Sequence, residues 1–166
     1  MAYSVSPTAS ISKLADITPS SKGSSIQIGE NVFIDSFVRI RAVGGEGDIQ
    51  ISNNCFINSG CVIFSGNGVF MGEWVLVGPN CTIAPTNHSF GDLNTLIRHQ
   101  GFTPSRGGVV IEDNVWIGAG SILLDGAIVR TGAVIGAGSL VRGEVAANCV
   151  YAGNPLRFIR HRADCS

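Results

Sequence analysis

Aliphatic residues recur every six positions through the C-terminal half of the chain. Beginning at Ile111 they fall at Ile117, Leu123, Val129, Ile135 and Val141. Four residues after each stands a compact one: Val115, Ser121, Ala127, Ala133, Ser139 and Val145. The same two columns run upstream with interruptions. Val5, Ile11 and Ile17 go with Ala9, Ala15 and Ser21; Ile28, Ile34 and Ile40 go with Val32 and Val38; Ile51, Ile57 and Ile63 go with Cys55 and Cys61. After a two-residue slip at Gly66-Asn67-Gly68 the register resumes with Met71, Val77 and Ile83, and with Val75 and Cys81. This period is neither that of an α-helix nor that of a plain strand alternation. It fits a short strand and a turn, with one aliphatic pointing inward per flat face. Three faces close a coil of about 18 residues, and stacked coils form a parallel β-solenoid with a column of Ile and Val as its core. The register puts Cys81 directly above Cys61 inside that column, where both serve as small apolar residues.

Composition agrees with an all-β chain. There are 18 Ile and 16 Val against 8 Leu, and 22 Gly for the turns; β-branched residues suit extended backbone better than helices. Charged residues are only 14% of the 166, against a usual quarter or so. The length suits one domain, residues 1–166, with a less regular N-terminal coil over 1–25 and a C-terminal tail or short helix over 153–166. A net charge of −1 and a pI near 6.3 give no general attraction to nucleic acid or anionic membrane. No apolar run approaches the roughly 20 residues of a membrane span, and Met1-Ala-Tyr-Ser-Val-Ser-Pro lacks the features of a secretion signal. The five cysteines (Cys55, Cys61, Cys81, Cys149, Cys165) are odd in number and form no C-x-x-C pair. Reduced thiols in a cytoplasmic protein are the expectation, with no metal site.

The repeat fails between Ile83 and Val109, over residues 84–108. An insertion of this length is functional or disordered, and its content argues for an ordered, protruding arm. It holds His88, His99, Arg98 and Arg106, with Phe90, Leu93, Leu96, Ile97 and Phe102 as apolar anchors. His88 follows the last in-register aliphatic by five residues, so it belongs where the coil meets the arm, at the wall of a cleft. His99 reads as a solvated or packing residue, and His161 lies in the basic tail.

Three segments resemble the hexapeptide-repeat acyltransferases: Ile-Glu-Asp-Asn-Val-Trp-Ile-Gly-Ala-Gly (111–120), Ala-Val-Ile-Gly-Ala-Gly-Ser-Leu-Val (133–141) and Ala-Gly-Asn-Pro-Leu-Arg-Phe-Ile-Arg (152–160). The nearest branch is that of galactoside and maltose acetyltransferases and surface-polysaccharide sugar O-acetyltransferases. The resemblance covers roughly 26–162 and implies a left-handed parallel β-helix, a homotrimer, and acetyl-CoA bound between subunits. It makes His88 the catalytic histidine, Asn58 an acceptor-holding residue, and Trp116 a wall of the cofactor channel. It sets the backbone amide of Ala119 near the thioester and that of Ala137 along the pantetheine arm. Arg157 and Arg160 match basic residues that meet the nucleotide phosphates. Two positions depart from the family. Gly143 stands where a phosphate-reaching lysine is usual, with Arg142 beside it as a substitute, and an acceptor-site aspartate has no counterpart near Gly66.

Acetyl transfer from a thioester to an alcohol needs a base and an oxyanion donor. A histidine near neutral pKa suits the first role, and the Gly118-Ala119-Gly120 turn suits the second. None of the cysteines falls beside His88 in the register, so direct transfer without an acyl-enzyme is expected. The expectation is therefore an acetyl-CoA-dependent O-acetyltransferase acting on a sugar hydroxyl in surface-polysaccharide biosynthesis. N-acetylation of an amino sugar or nucleotide-linked amino sugar is the alternative. Two further readings are a γ-type carbonic anhydrase, which would need three histidines converging from stacked coils, and a non-catalytic solenoid, which would have no use for the arm.

Overall fold

The computed structural model describes residues 3–21 and 23–164; Cys165 lies outside the described residues, as do Met1 and Ala2 of the N-terminal stretch. Each repeat folds as a strand of two or three residues followed by a turn. The first three coils are β1 (Tyr3–Val5), β2 (Ser10–Ile11), β3 (Asp16–Thr18); β4 (Ile26–Ile28), β5 (Phe33–Ile34), β6 (Arg39–Arg41); and β7 (Ile49–Ile51), β8 (Phe56–Ile57), β9 (Val62–Phe64). The next three are β10 (Val69–Met71), β11 (Leu76–Val77), β12 (Thr82–Ala84); β13 (Val109–Ile111), β14 (Trp116–Ile117), β15 (Ile122–Leu124); and β16 (Ala127–Val129), β17 (Val134–Ile135), β18 (Leu140–Val141). A last partial coil holds β19 (Glu144–Val145) and β20 (Cys149–Ala152), and β21 (Arg157–His161) turns back on β20 as an antiparallel hairpin.

Strands at equivalent positions of successive coils pair in parallel. They give a first face from β1 to β19, a second from β2 to β20 with β21 at its end, and a third from β3 to β18. Strict alternation then sorts the side chains. On the second face Ile57, Val77, Ile117 and Ile135 stack inward, while Phe56, Leu76, Trp116 and Val134 stack outward. Both sequence columns are buried from Ile28 to Val145, the aliphatics on the faces and the compact residues at the corners, except Ala127 and Val145, which lie in β16 and β19 on the first face. Cys61 and Cys81 are each buried, one coil apart, with the Val62 N–H donating to the Cys81 carbonyl at 2.9 Å.

Two edges of the prism are regular and one is not. Departures from an even coil collect at the edge between the third and first faces, over residues 42–48, 65–68, 85–108, 125–126 and 142–143. The last of these corrects the register: the corner is two residues short, so Val145 stacks on Val129 and not on Ala127. The C-terminal segment forms a strand where a tail or helix was expected. Tyr151 and Phe158 meet edge to face at 5.5 Å, and Cys149 Sγ lies 3.2 Å from His161 Nδ1, before a closing 3₁₀ turn at Arg162–Asp164. Among the described residues no helix is long and apolar enough to cross a membrane.

Candidate active site

His88 lies just outside the column, at the root of the arm on the irregular edge. The arm's two ends clasp each other: the Ser89 N–H donates to the Gly101 carbonyl (3.0 Å) and the Thr103 N–H to the Asn87 carbonyl (2.8 Å). His88 and Phe102 pair in an antiparallel bridge, their rings 4.8 Å apart and tilted by 46°. His88 is exposed, so the packing fixes one side of the imidazole and leaves the other open. Upstream, the Thr86 hydroxyl donates to the Gly44 carbonyl at 3.0 Å, tying the approach to His88 against a corner two coils earlier. Downstream, Asp125 is 1% exposed and accepts from the Arg106 N–H (2.8 Å) and the Gly108 N–H (2.9 Å). The tip is held locally: Asp92 caps Asn94 and Thr95, and the Gln100 amide bridges back to the Asp92 and Thr95 carbonyls.

The remaining residues singled out in the sequence fall into separate groups. Asn58, Ala119 and Ala137 lie on the regular edge between the second and third faces. There Gly138 N–H donates to the Ala119 carbonyl at 2.8 Å, and Asn58 Nδ2 donates to the Val77 carbonyl at 2.8 Å. Trp116 projects from the second face, 51% exposed, and lines a cavity of about 360 Å³ with Trp74, Leu76, Asn114, Val134 and Arg162. Arg142 is on the irregular edge with His88, two corners further down the column. The hairpin turn at 153–156 brings Arg157 to it, and the two arginines line one cavity of about 380 Å³. Arg160 sits opposite Val150 on β21 and does not line that cavity. One chain therefore joins Arg142 to Arg157, and aligns Asn58 with Ala119 and Ala137, but does not bring Asn58 to His88. The three histidines occupy the root of the arm, its 3₁₀ turn (Ile97–His99) and the end of β21.

Three participants were not singled out from the sequence. In the sequence Phe102 is only an apolar anchor, because nothing in a linear chain pairs it with His88. Asp125 carries a signal in the sequence: it stands between two compact-column positions, Ser121 and Ala127, at a corner where a charge needs dedicated donors. Trp74 gave a clearer one. At four corners of the first-to-second edge the residue before the compact one is Asn31, Asn54, Asn114 or Asn148, and at a fifth it is Gly132, all with positive φ; Trp74 takes that place with φ 59°. A tryptophan in the left-handed region is a strained choice at a turn that favours Asn or Gly, and strain of this kind gathers at ligand sites.

Residues 108–143 match the family described as bacterial transferase hexapeptide (six repeats). Over 61 residues the chain is 41% identical to 2,3,4,5-tetrahydropyridine-2,6-dicarboxylate N-acetyltransferase of Staphylococcus aureus; the match covers 37% of this chain and 26% of that protein, about a quarter of the curated relative's length. A variant of AntD, an N-acyltransferase from Bacillus cereus in complex with dTDP-4-amino-4,6-dideoxyglucose and coenzyme A, superposes with a TM-score of 0.78 at 23% identity, covering 96% of this chain and 83% of that one. A hexapeptide-repeat acetyltransferase from Vibrio cholerae O1 biovar eltor, VCA0836, complexed with acetyl coenzyme A, superposes with a TM-score of 0.50 at 25% identity over 80% of this chain and 69% of that one. Residues 108–143 thus carry the repeat of the bacterial hexapeptide transferases, and the rest of the column continues the same left-handed parallel β-helix.

Proposed function

We propose that this protein is an acetyl-CoA-dependent acetyltransferase whose acceptor is a saccharide hydroxyl, with His88 as general base. The observation that carries the reading is the His88–Phe102 clasp. It is an imidazole packed on one side and open on the other, rooted at the one edge of the prism where the chain departs from its repeat. His88 takes the proton from the acceptor hydroxyl as its oxygen attacks the thioester carbonyl. The tetrahedral oxyanion is met by a backbone N–H of the Gly118–Gly120 turn. Collapse breaks the C–S bond, and the departing thiolate of CoA recovers the proton from His88. The paired arginines Arg142 and Arg157 suit the nucleotide phosphates through forked donors.

Because His88 and the Ala119–Ala137 turn stand on different edges, the complete site needs two copies side by side, which a homotrimer supplies three times over. Acetyl-CoA as donor and reduced thiols suit a cytoplasmic setting, and sugars of surface-polysaccharide biosynthesis suit the acceptor.

Replacing His88 with Ala should lower CoA release in the presence of acceptor by about 10²–10⁴-fold, with the melting temperature and oligomeric state retained. Near-normal turnover in that variant would sink the mechanism. The relatives named as N-acetyl- and N-acyltransferases favour a second reading, transfer to an amine. Mild alkali separates the two: an O-acetyl ester product loses its acetyl group, and an amide keeps it.

A further inference from the structure

A cavity of about 450 Å³ is walled by Phe102, the ring packed on His88, and it is distinct from both arginine-lined cavities. Its floor is the corner Val43-Gly44-Gly45-Glu46, its far wall is Ser21 of the first coil, and its near wall is Phe102. Two contacts tie it to the catalytic histidine. The Phe102 ring that closes the cavity is the ring packed on His88 at 4.8 Å, and Thr86, two residues before His88, donates to the carbonyl of Gly44 in the floor. The corner can lie this close because its backbone is bare. Gly44 has φ +83°, and a Cβ on Gly45 would collide with the Gly66 carbonyl of the next coil.

The lining is chemically uneven. Phe102 is 51% exposed and Val43 is 44% exposed, two apolar surfaces facing open space. Glu46 is the one ionisable side chain among the described lining residues, and it is exposed. An aromatic wall with a few polar groups is the makeup of a small-molecule subsite. A ring face suits the C–H face of a pyranose, and a carboxylate accepts hydrogen bonds from two neighbouring hydroxyls at once. The same carboxylate repels phosphate.

We propose that this cavity is the acceptor subsite: an uncharged pyranose ring lies on Phe102, two of its non-reacting hydroxyls donate to Glu46, and a third hydroxyl points at His88. Any phosphate or nucleotide on the acceptor stays outside the cavity. The assignment rests on the acetyltransferase reading, and the tests separate the two.

Saturation-transfer NMR on the full chain, with methyl α-glucoside, methyl β-galactoside and glucose 6-phosphate as probes, reads the subsite without turnover. A methyl glycoside signal is expected for the wild type, with the sugar phosphate weaker. The signal should fall at least about 5-fold in Phe102→Ala and Glu46→Ala and survive in Phe102→Trp, while Glu46→Gln narrows the gap between glycoside and sugar phosphate. Calorimetry with acetyl-CoA runs alongside and should give the same affinity for the wild type and Glu46→Ala. Failure of acetyl-CoA to bind the wild type overturns the acetyltransferase reading. Normal acetyl-CoA binding with no glycoside signal, or with one indifferent to both alanine variants, overturns the subsite alone.

Discussion

Cys55 lies at the corner between β7 and β8 with its thiol donating to the Gly72 carbonyl at 3.0 Å, and burial pushes its pKa from the ordinary 9.0 up to about 11. Cys61, whose thiol donates to the Gly78 carbonyl, is also raised, first by the neighbouring Cys81 thiol and then by burial, while the Cys61 thiol draws Cys81 down against its own burial. Cys55 and Cys61 should therefore resist a disulfide reagent in the native protein at pH 8 and react on denaturation; a full thiol count under native conditions would contradict the register. The same shift has a pH consequence. Native Cys55 keeps its proton up to about 11, whereas an unfolded thiol loses it near 9.0. Its stabilisation is whole below about 9 and drains as pH rises toward 11, so chemical denaturation midpoints should fall across that window, and less so in Cys55→Ala. Trp74 makes the opposite bargain, an exposed aromatic held at φ 59°. Trp74→Asn relieves a left-handed conformation costing about 1–2 kcal/mol and should raise the melting temperature; an unchanged or lower one would mean that the strain is compensated by packing.

The arm between β12 and β13 is an element without a repeat, and its order comes from two roots and a tip. Asp125 is the more exacting root, since a buried carboxylate with two backbone donors leaves no slack for either partner. Asp125→Asn keeps the shape but turns an N–H₂ toward one of those donors, an expected cost of about 1.5–3 kcal/mol. The loss should concentrate locally: faster proteolysis within 89–105 and a lower kcat, with acetyl-CoA affinity retained. Protease sensitivity equal to the wild type would show that the arm is held elsewhere. At this scale the sequence was informative about existence and not about shape. Residues 84–108 could be marked as ordered from Phe90, Leu93, Leu96, Ile97 and Phe102, yet all five are more than half exposed, Phe102 the least at 51%. Apolar content marked the arm, but which anchors turn inward depends on partners from other coils.

Across the molecule, stability is a sum of nearest-neighbour layers. Ile117, fully buried between Val77 and Ile135, should cost about 2–5 kcal/mol as Ala, read in urea. This column was legible because every layer repeats the same demand, so a six-residue spacing, reset only at the irregular corners, accounts for it from Ile28 to Val141. The site was less legible for the converse reason. His88, Glu46 and Arg142 come from three corners of the one aperiodic edge, and proximity there depends on loop lengths that carry no period. The resemblance supplied His88 and Arg142; Glu46 and Phe102 required three dimensions. The division of Asn58, Ala119 and Ala137 from His88 between two edges makes a prediction about assembly. His88→Ala and Ala137→Arg should each be inactive alone. Co-expressed in one mixed trimer they should recover up to about a quarter of wild-type activity, because about one interface in four pairs two intact halves. No recovery would place the whole site within one chain.

The gathering of all irregularity at one edge also bears on how such a protein changes over time. Insertions at 42–48 or 85–108 leave the stacked layers untouched, because those segments begin and end at fixed rungs. The column acts as a chassis and that edge as its exchangeable part: acceptor preference can be rewritten by swapping a corner, with no renegotiation of the core.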